Sequence, residues 1–311
     1  MSVVVVGSIA FDAVKTPFGE RERMLGGSAV HFSLAASYFS DVRVVGPVGD
    51  DFGEAEYDVL RRHGVITDDI EHVEGGKTFF WAGEYEWNVN VRHTLDTQLN
   101  VFGEFQPKIS DAAKQAEVLF LANIQPDLQR EVREQCTGAK LAGLDSMNLW
   151  IDTTRESLLR TIATVDLILM NDDEVRMLTE EPTLLSAARK IMELGPRVVV
   201  VKQGEYGSAM YTAEGVFGIP AYPTADVVDP TGAGDTFAGG FMGYVAAHAD
   251  EEISDELLRR AMAYGTALAS FNVEAFGTER MQSLTPEEVN DRVSELQRVT
   301  VFDASPVPLR G

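Results

Sequence analysis

The sequence predicts an α/β protein with a mainly parallel central sheet and helices on both of its faces. Two observations carry this. Apolar runs at residues 118–123, 140–145, 165–171 and 197–202 alternate with stretches of helical character, the βαβ rhythm of a parallel sheet. At or just past the ends of these runs stand Asn123, Asp145, Asn148 and Asn171, so polar groups collect where open α/β sheets gather ligands. Asn123 and Asp145 are therefore candidate site-lining residues, with turn capping as the equal alternative.

Taken in order, residues 3–7 are fully apolar, the pattern of a buried strand, and lead to Asp12 just past the strand's end. Asp12 reads as a ligand-facing or a plain loop carboxylate. The run Met24-Leu25-Gly26-Gly27-Ser28-Ala29-Val30-His31-Phe32 follows, and small and apolar residues continue to Ser40. Two glycines before a helix let a ligand approach the backbone closely. His31 is either a substrate contact or a structural core histidine.

Residues 42–48 read as a strand and 51–63 as an amphipathic helix. Residues 78–81 and 85–89 read as strands around a glycine-containing turn. Gly76-Lys77-Thr78 mimics the end of a P-loop, but Glu71 stands where its first glycine is required. Helices are expected near 126–136, 153–163, 172–179 and 184–194. Lys202-Gln203-Gly204-Glu205-Tyr206-Gly207 then leads into short strands at 208–212 and 216–220. Further helices are expected at 236–248, 254–271 and 286–299, before an irregular tail from Asp303.

The most informative stretch is residues 227–244, VVDPTGAGDTFAGGFMGY. An extended start meets Pro230, passes through a glycine-rich loop and opens into a helix. Such a loop bares N–H groups at the positive end of a helix, an anion site by construction. Asp235 sits inside it, where a carboxylate is useful chiefly if it takes a proton; an ordinary cap is the competing reading. Phosphoryl transfer to a hydroxyl needs that combination of donors and one carboxylate.

Asp229-Pro230-Thr231-Gly232-Ala233-Gly234-Asp235 closely resembles the C-terminal motif of the ribokinase-like (PfkB) family of sugar and nucleoside kinases. The resemblance runs over nearly the whole chain, with Gly26-Gly27, residues 45–53 and Asn171-Asp172-Asp173-Glu174 in family order. It implies a three-layer α/β/α sandwich in a single domain, residues 1–311. It also implies a small β-lid formed by residues 12–25 and 77–105. Aromatic residues of that lid are read as lid-interface core more readily than as a base-stacking surface.

The resemblance assigns Asp235 as catalytic base, with Gly232, Ala233 and Gly234 as the anion hole. It places Asp12, Gly26, Gly27, Ser28, His31 and Asn123 at the acceptor. Asn171, Lys202, Gly204, Gly207, Thr231, Gly232, Gly234 and Gly265 are placed at the nucleotide. Asn171 and Glu174 would hold Mg²⁺ through water, and Asp229 is the candidate for a monovalent cation such as K⁺. ATP is the implied phosphoryl donor. The chain departs from the family in places: many members carry Asn at the position of Gly265, ribokinases proper have Lys and Asn where Ser28 and His31 stand, and residues 272–277 differ near the monovalent-cation loop.

Composition narrows the partners. Of 311 residues 45% are hydrophobic and 24% charged, as in ordinary globular proteins. A balance of 26 Lys+Arg against 49 Asp+Glu gives a net charge of −23, which argues against nucleic acid or a polybasic membrane surface. No apolar run approaches the roughly 20 residues of a membrane span. The first residues lack a basic signal-peptide region, and the lone Cys136 fits a reducing cytoplasm. The five His show no zinc spacing.

The reading is an ATP-dependent kinase acting on a hydroxymethyl group of a small-molecule sugar, with a nucleoside as the alternative. A Gly-Gly-Ser motif and an aromatic lid lean toward nucleoside, family frequency toward sugar. A homodimer through the lid is left open. A non-catalytic nucleotide-binding regulator is opposed by the intact Asp235, Asn171 and Glu174. An NAD oxidoreductase is opposed by Gly7-Ser8-Ile9-Ala10, where G-x-G-x-x-G is required.

Overall fold

The computed structural model describes residues 2–304. Its strands are β1 Ser2–Val6, β2 Ala10–Thr16, β3 Gly19–Gly26, β4 Asp41–Gly49, β5 Ile70–Val73, β6 Phe79–Tyr85 and β7 Arg92–Gln98. They continue with β8 Val118–Leu121, β9 Leu141–Asp145, β10 Leu167–Asn171, β11 Val198–Lys202, β12 Ser208–Thr212 and β13 Gly215–Ile219. The helices are α1 Ser28–Ala36, α2 Glu54–Arg62, α3 Pro126–Gln135, α4 Asn148–Thr153, α5 Arg155–Ile162 and α6 Asp172–Thr179. After them come α7 Leu184–Met192, α8 Ala233–Ala247, α9 Asp255–Asn272, α10 Glu279–Ser283 and α11 Pro286–Thr300.

A 9-stranded sheet runs in the order β13-β12-β11-β10-β9-β8-β1-β4-β5. Every pairing from β11 to β5 is parallel, while β12 and β13 close one edge antiparallel. Side chains alternate between faces along a strand. Val3, Val5, Val118, Phe120, Leu167 and Leu169 accordingly enter one core with α1, α8 and α9. Val4, Val6, Leu119, Leu121, Ile168 and Met170 enter the other with α3, α5, α6 and α7. Continuous apolar strands thus give three layers. No described helix is long and apolar enough to cross a membrane.

The glycines of α8 allow its close approach to its neighbours. A Cβ on Gly239 would strike the Phe32 carbonyl oxygen of α1, and one on Gly240 would lie 3.0 Å from the Cα of Gly265 in α9. α8 is thereby packed closely between α1 and α9.

A second, 4-stranded sheet, β3-β2-β6-β7, forms the lid. It differs from the expected hairpin. Gly83 is not at a turn but inside β6, where a Cβ would collide with the Trp81 indole lying across the strand. The turn falls instead at 86–91, closed by Glu86 N–H to Val91 C=O at 3.1 Å. Asp12, expected in a loop, lies within β2. β5, α4 and α10 were not anticipated, being short elements without a full period of pattern. Of the tail, residues 301–304 carry no regular structure, and 305–311 lie outside the described residues.

The lid aromatics are mainly interface. Phe79 stacks on Phe102 with centroids 5.2 Å apart, and Tyr85 clusters with Val14 and Phe276. Trp87 stays exposed.

Candidate active site

The site lies between the strand ends of the large sheet and the inner face of the lid. Its base is the loop of residues 229–232 and the start of α8. Gly232 caps α8 with φ +75°, a left-handed conformation natural to glycine. Asp235 is thus the third residue of the helix, within reach of its positive end. The Ala233 N–H donates to the Pro230 carbonyl at 3.2 Å, closing the turn. This revises the expected anion hole: Ala233 is spent on the loop, and among the described residues no acceptor is bound to the amides of Gly232 and Gly234.

Asp235 is surrounded by charge. Its pKa is pushed up to about 7, first by burial and then by Asp145, against the pull of Lys202 and Arg92. Beside it Lys202 Nζ bonds Asp145 Oδ2 at 2.7 Å, and a Cβ on Gly234 would stand 3.1 Å from that Nζ. Lys202 therefore lies against the start of α8. Burial opposes its charge, but Asp145 and Glu174 outweigh burial and hold the ammonium protonated.

Asn171 and Glu174 form a reciprocal capping box on α6: Glu174 N–H donates to Asn171 Oδ1 and Asn171 N–H to Glu174 Oε2, both 2.8 Å. Glu174 is pushed up by burial and by Asp145. Among the described residues no cluster of three or more His, Cys, Asp or Glu could cage a metal directly. The acidic pair Asp145 and Glu174 fits a hydrated cation, which Mg²⁺ favours.

On the lid side, Asp12 is buried and its pKa is pushed up to about 7 by burial first, with Asp229 and Asp235 adding to it. Gly26 packs directly on the Asp12 carboxylate, and a Cβ there would overlap Oδ2. Gly27, at φ +93°, caps α1 with its Cα against the Ser8 carbonyl. Ser28 is engaged with Ser8: its N–H donates to Ser8 Oγ at 3.0 Å, and the two hydroxyls meet at 3.0 Å.

Several residues assigned from the resemblance also make contacts within the protein. Asn123 Oδ1 accepts from Trp150 Nε1 at 2.9 Å and its amide meets Met147 Sδ, so it holds the loop after β9. His31 is fully enclosed beneath Gly232. Gly265 is buried where α8 and α9 cross, and the missing Cβ is needed there against the Phe237 carbonyl. Gly207, at φ +101°, turns tightly against the Ile219 carbonyl, while a Cβ on Gly204 would stand 3.1 Å from Asn90 Oδ1 of the lid turn.

Asp229 joins two loops. One carboxylate oxygen accepts the Thr231 N–H and the other the Gly277 N–H, each at 2.9 Å. Burial raises its pKa. A monovalent cation at Asp229 would have to share these oxygens.

Sequence reasoning missed two lid residues. The Tyr85 hydroxyl lies 3.1 Å from Thr231 Oγ1. Arg92 stacks over Trp81 at 5.3 Å, and its charge acts on Asp12, Glu174, Tyr85 and Asp235. No local pattern marks either residue, because both are brought to the site by the lid's register, which pairs Tyr85 with Arg92.

Comparisons with known proteins show the family and the fold. A family model for the pfkB family carbohydrate kinases matches residues 2–284. A cytidine kinase of Thermococcus kodakarensis is 29% identical over 270 residues, spanning 84% of this chain and 95% of that protein. Among solved structures, a Burkholderia thailandensis nucleoside kinase in complex with inosine superposes with TM-score 0.79 at 18% identity, covering 94% of this chain and 97% of that one. A Salmonella enterica aminoimidazole riboside kinase, complexed with aminoimidazole riboside and an ATP analog, gives TM-score 0.73 at 21% identity, covering 94% and 100%. The chain belongs to the pfkB family of carbohydrate kinases, phosphotransferases with the ribokinase fold.

Proposed function

We propose that this kinase transfers the γ-phosphoryl group of ATP to the hydroxymethyl group of a nucleoside. The observation that carries the chemistry is Asp235, a half-buried carboxylate with a pKa of about 7, set beside two unclaimed amides at the start of α8. A base poised near neutral pH can accept a proton and remain a weak enough acid to return it.

Asp12 holds the acceptor's hydroxyl groups beneath the lid. As the reacting oxygen attacks phosphorus, its proton passes to Asp235, the new O–P bond forms, and the bond to the β-phosphate oxygen breaks to release ADP. The N–H groups of Gly232 and Gly234 stabilise charge on the transferring group. Arg92 brings a guanidinium from the lid, offsetting phosphate charge in a strongly acidic chain. Glu174 and Asp145 would hold Mg²⁺ through its water, with Asn171 fixing Glu174 through the capping box, and the bound ion would neutralise phosphate charge. Lid closure keeps water from competing as acceptor.

Support for a nucleoside acceptor comes from relatives named for it, a cytidine kinase and a nucleoside kinase of Methanothermobacter thermautotrophicus, the latter 27% identical over 296 residues. Relatives named fructokinase keep a sugar acceptor as the second reading. A coupled assay of ADP release against nucleosides and free sugars tests both. Turnover with sugars alone would replace the nucleoside by a sugar, and no turnover with either would remove the kinase reading.

A further inference from the structure

Beneath the anion-hole loop lies a buried polar cluster that the mechanism above does not use. Asn272, the last residue of α9, is fully buried and bonds three elements at once. Its Nδ2 donates to the Thr231 carbonyl at 2.8 Å, its Oδ1 accepts from Thr236 Oγ1 of α8 at 3.0 Å, and the same oxygen meets His31 Nδ1 of α1 at 3.2 Å. A carboxamide oxygen only accepts, so His31 carries its proton on Nδ1. His31 is buried and stays neutral, since burial lowers its pKa to about 4.

The ring also has a mechanical role. A Cβ on Gly232 would fall within the van der Waals envelope of the imidazole, equally close to Cγ, Nδ1 and Cε1. Gly232 therefore rests on the flat face of His31. The Thr231 carbonyl and the Gly232 N–H belong to one peptide unit, which is planar and trans. Pinning the carbonyl downward onto Asn272 points the Gly232 N–H the opposite way, out of the loop. That N–H, like the one of Gly234, has no protein acceptor among the described residues.

We propose that Asn272 and His31 are positioning residues that aim the Gly232 amide at the transferring phosphoryl group. Asn272 fixes the peptide plane. His31 supports Gly232 from below and, by donating to Oδ1, holds the carboxamide in the orientation that presents its NH₂ group to Thr231. An anion hole contributes only as far as its donors are fixed before the reaction, so the pair acts on the chemical step and not on ground-state binding.

This inference rests on the kinase reading, and the full-length wild type is therefore measured first. It should turn over an acceptor of the panel and bind MgADP more tightly when aluminium fluoride mimics the transferring group. If it does neither, the kinase reading falls and the positioning role with it. In an active protein, Asn272→Asp should lower kcat roughly a hundredfold, with KM for ATP and acceptor within about threefold, and abolish the aluminium fluoride effect. His31→Phe keeps the flat support but loses the donor, and should lower kcat about tenfold in the same pattern. A folded Asn272→Asp protein with wild-type kcat, or with a loss in KM alone, overturns the proposal. Nitrogen-15 spectra of the wild type need no variant to fold: His31 should be protonated at Nδ1 and bare at Nε2 near neutral pH. Protonation at Nε2 alone overturns the arrangement.

Discussion

The hydroxyl of Tyr85, at the end of the lid strand β6, lies 3.1 Å from the hydroxyl of Thr231, in the loop proposed to carry the anion hole. The lid and the loop before α8 are thus latched directly. A neutral hydrogen bond of this kind contributes about 1 kcal/mol. Tyr85→Phe is expected to raise the acceptor KM about fivefold with a small change in kcat. Steady-state kinetics at saturating ATP would check this, and an unchanged KM would show that the latch has no part in closure.

Asp235→Asn keeps the shape of the site and removes the proton acceptor. Turnover is expected to fall by at least about a thousandfold, while calorimetry should find MgADP bound with nearly wild-type affinity. Activity close to wild type would dismiss Asp235 as the base.

The pH dependence follows from the same group. A base must be deprotonated to act, so kcat/KM should rise with pH through a midpoint of about 7. After burial, Asp145 is the largest cause of that raised value, and Lys202 opposes it. Asp145→Asn removes the repulsion and leaves the ammonium, so the midpoint should move to lower pH. A midpoint that stays in place would mean that another group governs the profile.

Asp12 trades stability for function. Its folded pKa of about 7 lies above the ordinary value of 3.8, so between those values the native state binds more protons than the unfolded chain. Stability from this group therefore declines as pH rises through that window. Asp12→Asn should raise the melting temperature at alkaline pH, lose the advantage where Asp12 is protonated, and impair acceptor use throughout. Calorimetric melts across pH would reveal a pH-independent difference if the assignment is wrong.

Gly265→Ala tests packing apart from chemistry. The added methyl group meets the Phe237 carbonyl at the crossing of α8 and α9, and overpacking of this kind costs about 1–3 kcal/mol. Denaturant titration should show that loss, while kcat of the folded protein stays near wild type.

What the sequence revealed depended on how local the determinants were. The α6 helix begins where expected because Asn171 and Glu174 write its capping box within four residues. The apolar strands disclosed the parallel sheet, since burial on both faces leaves no polar side to confuse the period. The motif at residues 229–235 placed a carboxylate at a helix start by adjacency alone. Arg92 and Asn272 left no such trace: one lies on an exposed polar strand, the other at a helix end more than 30 residues from the loop it supports. Gly83 misled because a glycine in an aromatic strand reads as a turn, whereas its missing side chain makes room for Trp81. His31 stayed open between substrate contact and core histidine because its partner beneath the loop comes from the far end of the chain.

The parallel pairing of β2 with β6, Ala10 opposite Phe79, also dictates an order of assembly. The lid sheet needs two segments separated by α1, β4, α2 and β5, which all belong to the larger body. Closing a loop of that length is repaid only after the body has drawn its ends together. The lid should then be the last sheet to form and the first to open. In pulse-labelled hydrogen exchange, the amides of β7 would gain protection after those of β1 and β8, so the smaller sheet would finish folding over a body already formed.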